Sequence, residues 1–147
     1  MSRQTFLEAH KITQIITPTA GAAGQTAINS TAVDMKDYDE VALMVNMGTI
    51  DATAVTSIKA QQSADNSSFS DLEGTSQTIA ATDDGDSFII DLIKPTDRYV
   101  RVVVSRGTAD ATVQDAFAIQ TRSKVVAVTQ GTTINSETHV TPDEGTA

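Results

Sequence analysis

The phrase Gly48-Thr49-Ile50-Asp51-Ala52-Thr53 returns almost unchanged as Gly107-Thr108-Ala109-Asp110-Ala111-Thr112, and each copy breaks a run in which every second residue is apolar. Val41, Leu43, Val45 and Met47 precede the first copy; Val100, Val102 and Val104 precede the second. Alternate side chains of a strand point to opposite faces, so both runs describe half-buried strands with one apolar face. Glycine reaches positive φ at little steric cost, and Asp and Thr side chains bond to nearby backbone N–H groups. Each phrase therefore reads as the turn of a β-hairpin. Two interpretations of the pair stand: twin loops at one end of a sandwich that hold a ligand or partner, or two closures that fix strand register.

Further short runs suit strands. Gln25 to Met35 carries Thr26, Ile28, Thr31 and Val33; Ala54 to Gln62 carries Val55 and Ile58; Thr75 to Ala81 and Val125 to Val128 add short candidates. Phe88, Ile90 and Leu92 alternate on one face, with Ile89 and Ile93 on the other, which predicts a central strand covered on both sides. Lys94-Pro95 ends it, because proline lacks the N–H that continues a ladder. Tyr99 to Arg106 is followed by Val113, Phe117 and Ile119 as the apolar positions of its hairpin mate. Threonine, roughly one residue in seven, favours pleated surfaces over helices. The expectation is an all-β, antiparallel β-sandwich, jelly-roll-like, with about eight short strands and extended termini. Residues 1–24 form an N-terminal extension with a possible first strand, ending in a flexible link from Thr17 to Gly24. Residues 25–129 form the sandwich, and 130–147 a flexible C-terminal tail almost without apolar mass.

With 147 residues the chain suffices for one domain with a true core. It has no cysteine, so no disulfide or thiolate metal site exists. Its longest apolar stretches are far shorter than the roughly 20 residues of a membrane helix, and the first residues lack the apolar region of a signal peptide. Neither a membrane nor an export signal is expected, and synthesis in a cytoplasm is the expectation. A net charge of −9 repels phosphate, and ten Lys and Arg spread along the chain do not offset it. Direct nucleic-acid binding is not expected.

Catalytic chemistry finds no foothold. The two histidines, His10 and His139, have no companion at ligand spacing, and there is no Gly-x-Ser-x-Gly elbow, phosphate loop or dinucleotide fingerprint. A glycosidase carboxylate pair wants sugar-stacking aromatics, and the chain has no Trp, two Tyr and four Phe. Asp83, Asp84 and Asp86, like Asp65, Asp71 and Glu73, cluster oxygens without the order of a calcium loop and read as solvated turns. The expectation is a non-enzyme with no cofactor and no metal.

The phrases Val33-Asp34-Met35-Lys36-Asp37-Tyr38-Asp39-Glu40-Val41, Met47-Gly48-Thr49-Ile50-Asp51-Ala52, Ser70-Asp71-Leu72-Glu73-Gly74-Thr75 and Lys94-Pro95-Thr96-Asp97-Arg98-Tyr99-Val100-Arg101 follow in order. In that order, over about Val33 to Ile119, the chain resembles the capsid cement or decoration proteins of tailed bacteriophages. The resemblance implies a jelly-roll-like sandwich on the outer capsid surface of the virion. There it would stabilise the lattice by clamping neighbouring copies of the phage major capsid protein, as a homo-dimer or homo-trimer. The termini then become arms that order on the lattice or a sister subunit, with Phe6, Leu7, Ile12 and Ile134 as anchors. Arg98, Tyr99 and Arg101 form an interface-like cluster, or else an edge-strand face paired with Asp91 or Asp97. The alternative is a carbohydrate-binding, lectin-like module of a phage tail or fibre; a third reading is an inert assembly component inside the virion.

Overall fold

Residues 4–125, 127–141 and 143–146 are described by a computed structural model. A four-residue helix, α1 (Phe6–Ala9), precedes ten strands: β1 (Lys11–Ile16), β2 (Ile28–Asn29), β3 (Val33–Asp34), β4 (Glu40–Ile50), β5 (Val55–Ser63), β6 (Ser70–Asp71), β7 (Gln77–Ile79), β8 (Ser87–Ile93), β9 (Tyr99–Gly107) and β10 (Ala111–Thr121). All pairings are antiparallel. One sheet has the order β1-β10-β4-β8; in the other, β9 and β5 lie at the centre, flanked by β2 and β3 on one side and by β6 and β7 on the other.

The two repeated phrases do not close hairpins. β4 and β5 lie in different sheets, as do β9 and β10, so each phrase is an arch from one layer of the sandwich to the other. Stacked sheets sit about 10 Å apart, a distance that three extended residues span. Alternation cannot separate the two cases, because strands in facing sheets bury one face each just as hairpin partners do. The arches lie side by side, the Asp51 N–H donating to the Asp110 carbonyl at 2.9 Å, while their flanking strands pair as β4–β10 and β5–β9.

Pairing is nested: β1 with β10, β2 and β3 with β9, β4 with β8, and β5 with β6 and β7. A long hairpin folded at β5–β6 and rolled until β4 meets β10 and β5 meets β9 has this order. It is a jelly roll. Val41, Leu43, Val45, Ile58, Val100, Val102 and Val104 are wholly buried between the sheets, each such side chain contributing about 1.5–3 kcal/mol over its exposed state. Buried Gln120 joins the layers, its amide donating to the Asp34 carbonyl at 2.8 Å.

The predicted β10 pattern is out of phase. Register shifts between Ala111 and Asp115 move the inward positions from Ala111 and Val113 to Ala116, Ala118 and Gln120. Phe117 and Ile119 therefore face outward. β8, expected at a sheet centre, is an edge strand with Ile89 and Ile93 exposed.

The N-terminal extension supplies a core strand. β1 pairs with β10 and buries Ile15 and Ile16. The link after it, expected to be flexible, is tied down: Val113 and Ala111 N–H groups donate to the Gly21 and Gly24 carbonyls at 2.8 and 3.1 Å. The Arg106 guanidinium donates to the carbonyls of Ala22, Thr26 and Ala111, each at 2.7 Å. Burial lowers the Arg106 pKa, opposed by nearby Asp110. A Cβ on Gly21 would lie 1.9 Å from the Val113 carbonyl oxygen, so only glycine fits. Gly21→Ala is expected to lower stability by about 1–3 kcal/mol, the usual cost of overpacking, measured as a shift in the urea midpoint.

Candidate interaction surfaces

The outer faces of the two sheets differ in kind. On the first sheet, cross-strand register sets Ile12, Ile119, Ala42 and Asp91 in one row and Gln14, Phe117, Met44 and Ile89 in the next. Apart from Gln14 and Asp91 at opposite corners, these side chains are apolar, and all are half-buried or exposed, Ile89 to 53%. Six neighbouring apolar side chains thus share one outer face.

The second sheet turns a bonded polar network outward. Arg98, just before β9, clamps Asp34 of β3 through Nε and one terminal nitrogen at 2.9 and 2.8 Å and lies 5.2 Å from the Tyr99 ring centre. Its partner is thus Asp34, not Asp91 or Asp97; β3 pairs with β9 across a gap in sequence that periodicity does not bridge. Arg101 sits 3.8 Å over the Phe69 ring and donates to Gln61 at 2.8 Å. Asp71 takes bonds from Lys59 and Gln61, each at 2.7 Å. The Arg98 hydrogen bond holds the Asp34 carboxyl below its ordinary pKa, and Lys59, then Gln61, do the same for Asp71.

The terminal residues fall into a second group, away from the arginine cluster. Thr5 and Glu8 form a capping box on α1; Phe6 stacks on the His10 ring at 4.3 Å with 56% of its surface exposed. Gln130 joins the two ends of the chain. Its Oε1 accepts from the Ile12 N–H at 2.7 Å, and its Nε2 donates to the Leu7 and His10 carbonyls at 2.8 and 2.7 Å. The Gly131 N–H then bonds the Ile12 carbonyl and the Ile134 N–H the Gly131 carbonyl, at 3.0 and 2.9 Å. The beginning of the C-terminal tail, expected to be loose, thus packs along β1 with Leu7, Ile12 and Ile134 on one side of the molecule. No residue pattern marks Gln130 for this role, since a lone glutamine is as common on any surface.

The acidic loops use their carboxylates on their own backbone. Asp65 accepts from the Ser67 and Ser68 N–H groups at 2.9 and 2.8 Å and its pKa is lowered by them. Asp84 accepts from the Ile50 N–H beside the first arch and Asp83 from the Ala80 N–H, both at 2.8 Å. At the second arch Asp110 receives the Gln25 amide at 3.1 Å.

No protein-family model and no curated sequence matches this chain. Among solved structures it is similar to the PBSX exported protein XepA, with 12% identity and a TM-score of 0.48 over 99% of this chain and 46% of that one. The chain thus spans less than half of the XepA chain. It is also similar to a structure described under the words "Bacillus endospore appendages form a novel family of disulfide-linked pili", with 13% identity and a TM-score of 0.36 over 82% of this chain and 96% of that one.

Two outcomes are expected. Asp34 has a depressed folded pKa, so its unfolded state binds more protons and stability rises with pH through that window. The stability difference between the protein and Asp34→Asn should be full above about pH 4 and vanish as pH falls through the folded value, read by urea unfolding across pH. Gln130→Ala should speed hydrogen exchange at Ile12 and cost about 1–3 kcal/mol, because the freed backbone groups are partly buried.

Proposed function

We propose that this protein is a non-catalytic structural component of a phage virion, bound to the outer surface of the capsid, where it stabilises the lattice by clamping neighbouring major capsid proteins. The observation that carries the proposal is the apolar outer face of the β1-β10-β4-β8 sheet. The patch formed by Ile12, Ile119 and Ala42 of one row with Phe117, Met44 and Ile89 of the next is stabilised by burial only when another protein covers it. The resemblance of the segment from about Val33 to Ile119 to the cement proteins of tailed bacteriophages supports the choice of partner. A particle presents the same site many times, so a modest interface per copy, of roughly 800 Å² on each side, is multiplied wherever one clip spans two capsid subunits. The net charge of −9 keeps such a protein soluble at high copy number.

Carbohydrate binding is less well supported. Arg98 and Arg101 lie against Tyr99 and Phe69, and Phe6 stacks on His10, which occupies ring faces that a sugar would need.

Mixing the purified protein with expanded, genome-free capsids of a tailed phage should give co-sedimentation and raise the capsids' resistance to heat and chelator. Phe117→Asp, on the outer face and not in the core, should weaken that binding by tenfold or more with the thermal midpoint little changed. Failure to bind any capsid form, or glycan-array binding that Asp51→Ala and Asp110→Ala abolish, would overturn the proposal.

A further inference from the structure

Exposed sheet edges invite pairing with another chain, and folded proteins usually shorten or cover them. Three of the four edges of this sandwich are so treated. On β1, the free backbone groups are bonded by the Gln130 side chain and the Gly131 N–H at Ile12, and by the Thr31 N–H at Ile15. The two edges of the second sheet are broken into strands of two or three residues. A hydroxyl fills each break: Ser30 Oγ accepts the Val102 N–H at 3.0 Å, and Thr75 Oγ1 accepts the Ala60 N–H at 3.1 Å. The fourth edge, β8, is seven continuous residues.

Which atoms that edge offers follows from register. Met47 N–H donates to the Asp86 carbonyl and Lys94 N–H to the Asp39 carbonyl, so even-numbered residues of the segment face β4 with their backbone groups. The N–H and C=O groups of Ser87, Ile89, Asp91 and Ile93 point away from the sheet. Among the described residues, one side-chain bond reaches them, from Gln77 Nε2 to the Ile89 carbonyl at 2.8 Å. The side chains are those of an interior strand: Ile89 and Ile93 are 53% and 67% exposed, while Phe88 and Leu92 are only partly buried against the core.

We propose that β8 is the self-association edge of this protein, pairing antiparallel with β8 of a second copy about a two-fold axis through Ile90. The segment Asp86-Ser87-Phe88-Ile89-Ile90-Asp91-Leu92-Ile93-Lys94 is complementary to itself in that register. Asp86 of one copy meets Lys94 of the other at both ends, Phe88 meets Leu92, and Ile90 meets Ile90. The outward backbone groups of Ile89 exchange both bonds with those of Asp91, and Ser87 does the same with Ile93. A shift by one residue to either side that keeps the odd-numbered groups paired sets Asp91 against Asp91 or leaves Asp86 without Lys94. Among the described residues, neither Asp86 nor Lys94 makes an ion pair within the chain, and both are exposed. A groove of about 270 Å³, to which Leu72, Leu92, Ile93 and Pro95 contribute, lies at the end of β8 where Phe88 of the second copy arrives. The result is one continuous sheet across the dimer, with the apolar outer face doubled. This inference does not need the capsid reading.

Light scattering after size exclusion, on the full chain at rising concentration, tests it. The protein should run at twice its 15.5 kDa chain mass. Asp86→Lys and Lys94→Asp should each weaken the dimer by tenfold or more, and the two together should restore it. Ile89→Asp, which faces Asp91 of the second copy, should give a monomer with an unchanged circular dichroism spectrum. A monomer at every concentration overturns the proposal. So does a dimer or trimer indifferent to all of these changes, or loss of dimer in the single charge variants that the double variant does not reverse. Capsid binding by a monomeric protein would contradict this inference alone; a dimer that binds no capsid would contradict only the proposed function.

Discussion

The β4–β10 and β5–β9 ladders are the constraint on which the molecule rests. They are its longest pairings, they lie at the centres of the two sheets, and their inward side chains make the core. Two adjacent arches bind the ladders into one object, so neither sheet can shift without breaking the other's register. The repetition of Gly-Thr-x-Asp-Ala-Thr is a consequence: two chain segments running in opposite directions cross the same gap, and similar residues turn the same corner.

Everything outside that centre serves to finish the sheets. Arg106 gathers three carbonyls from the incoming chain and the arch, the Ser30 and Thr75 hydroxyl oxygens accept backbone N–H groups where edge strands are broken, and Gln130 fastens the chain's two ends along β1. Each uses one polar side chain to satisfy backbone groups that no strand reaches. On β8, among the described residues, one outward backbone group is so treated, the Ile89 carbonyl by Gln77; that edge is the one proposed to meet a second copy, and the outer face beside it the one proposed to meet another protein. The acidic loops, in contrast, spend their carboxylates on their own turns.

Much of the fold was legible. Val41 to Met47 and Val100 to Val104 bury the side chains that alternation selects, and proline at 95 ends β8 where expected. The departures share a cause: periodicity records which face is apolar, not what lies opposite. It could not tell an arch from a hairpin at Asp51, nor see the bulge that turns Phe117 and Ile119 outward. It took the two-sided apolar pattern of Ser87–Ile93 as central when the strand lies at an edge. The surfaces were less legible, because Arg98 with Asp34 and Gln130 with Leu7 are contacts between distant segments, set by topology that the residues state only collectively. Arg98 bonds Asp34 and lies by Tyr99, Arg101 lies on Phe69 and Gln61, and Gln130 and Gly131 tie the backbone at Leu7 and Ile12 to the segment of Ile134.

The central claim is that the outer face of the β1-β10-β4-β8 sheet is the one that meets the virion. Hydroxyl-radical footprinting of the protein, free and bound to expanded capsids, reads that face directly through Met44 and Phe117 and the opposite face through Tyr99. The account predicts that Met44 and Phe117 lose reactivity on the particle while Tyr99 keeps it. Protection of Tyr99 with Met44 and Phe117 still fully reactive would contradict it.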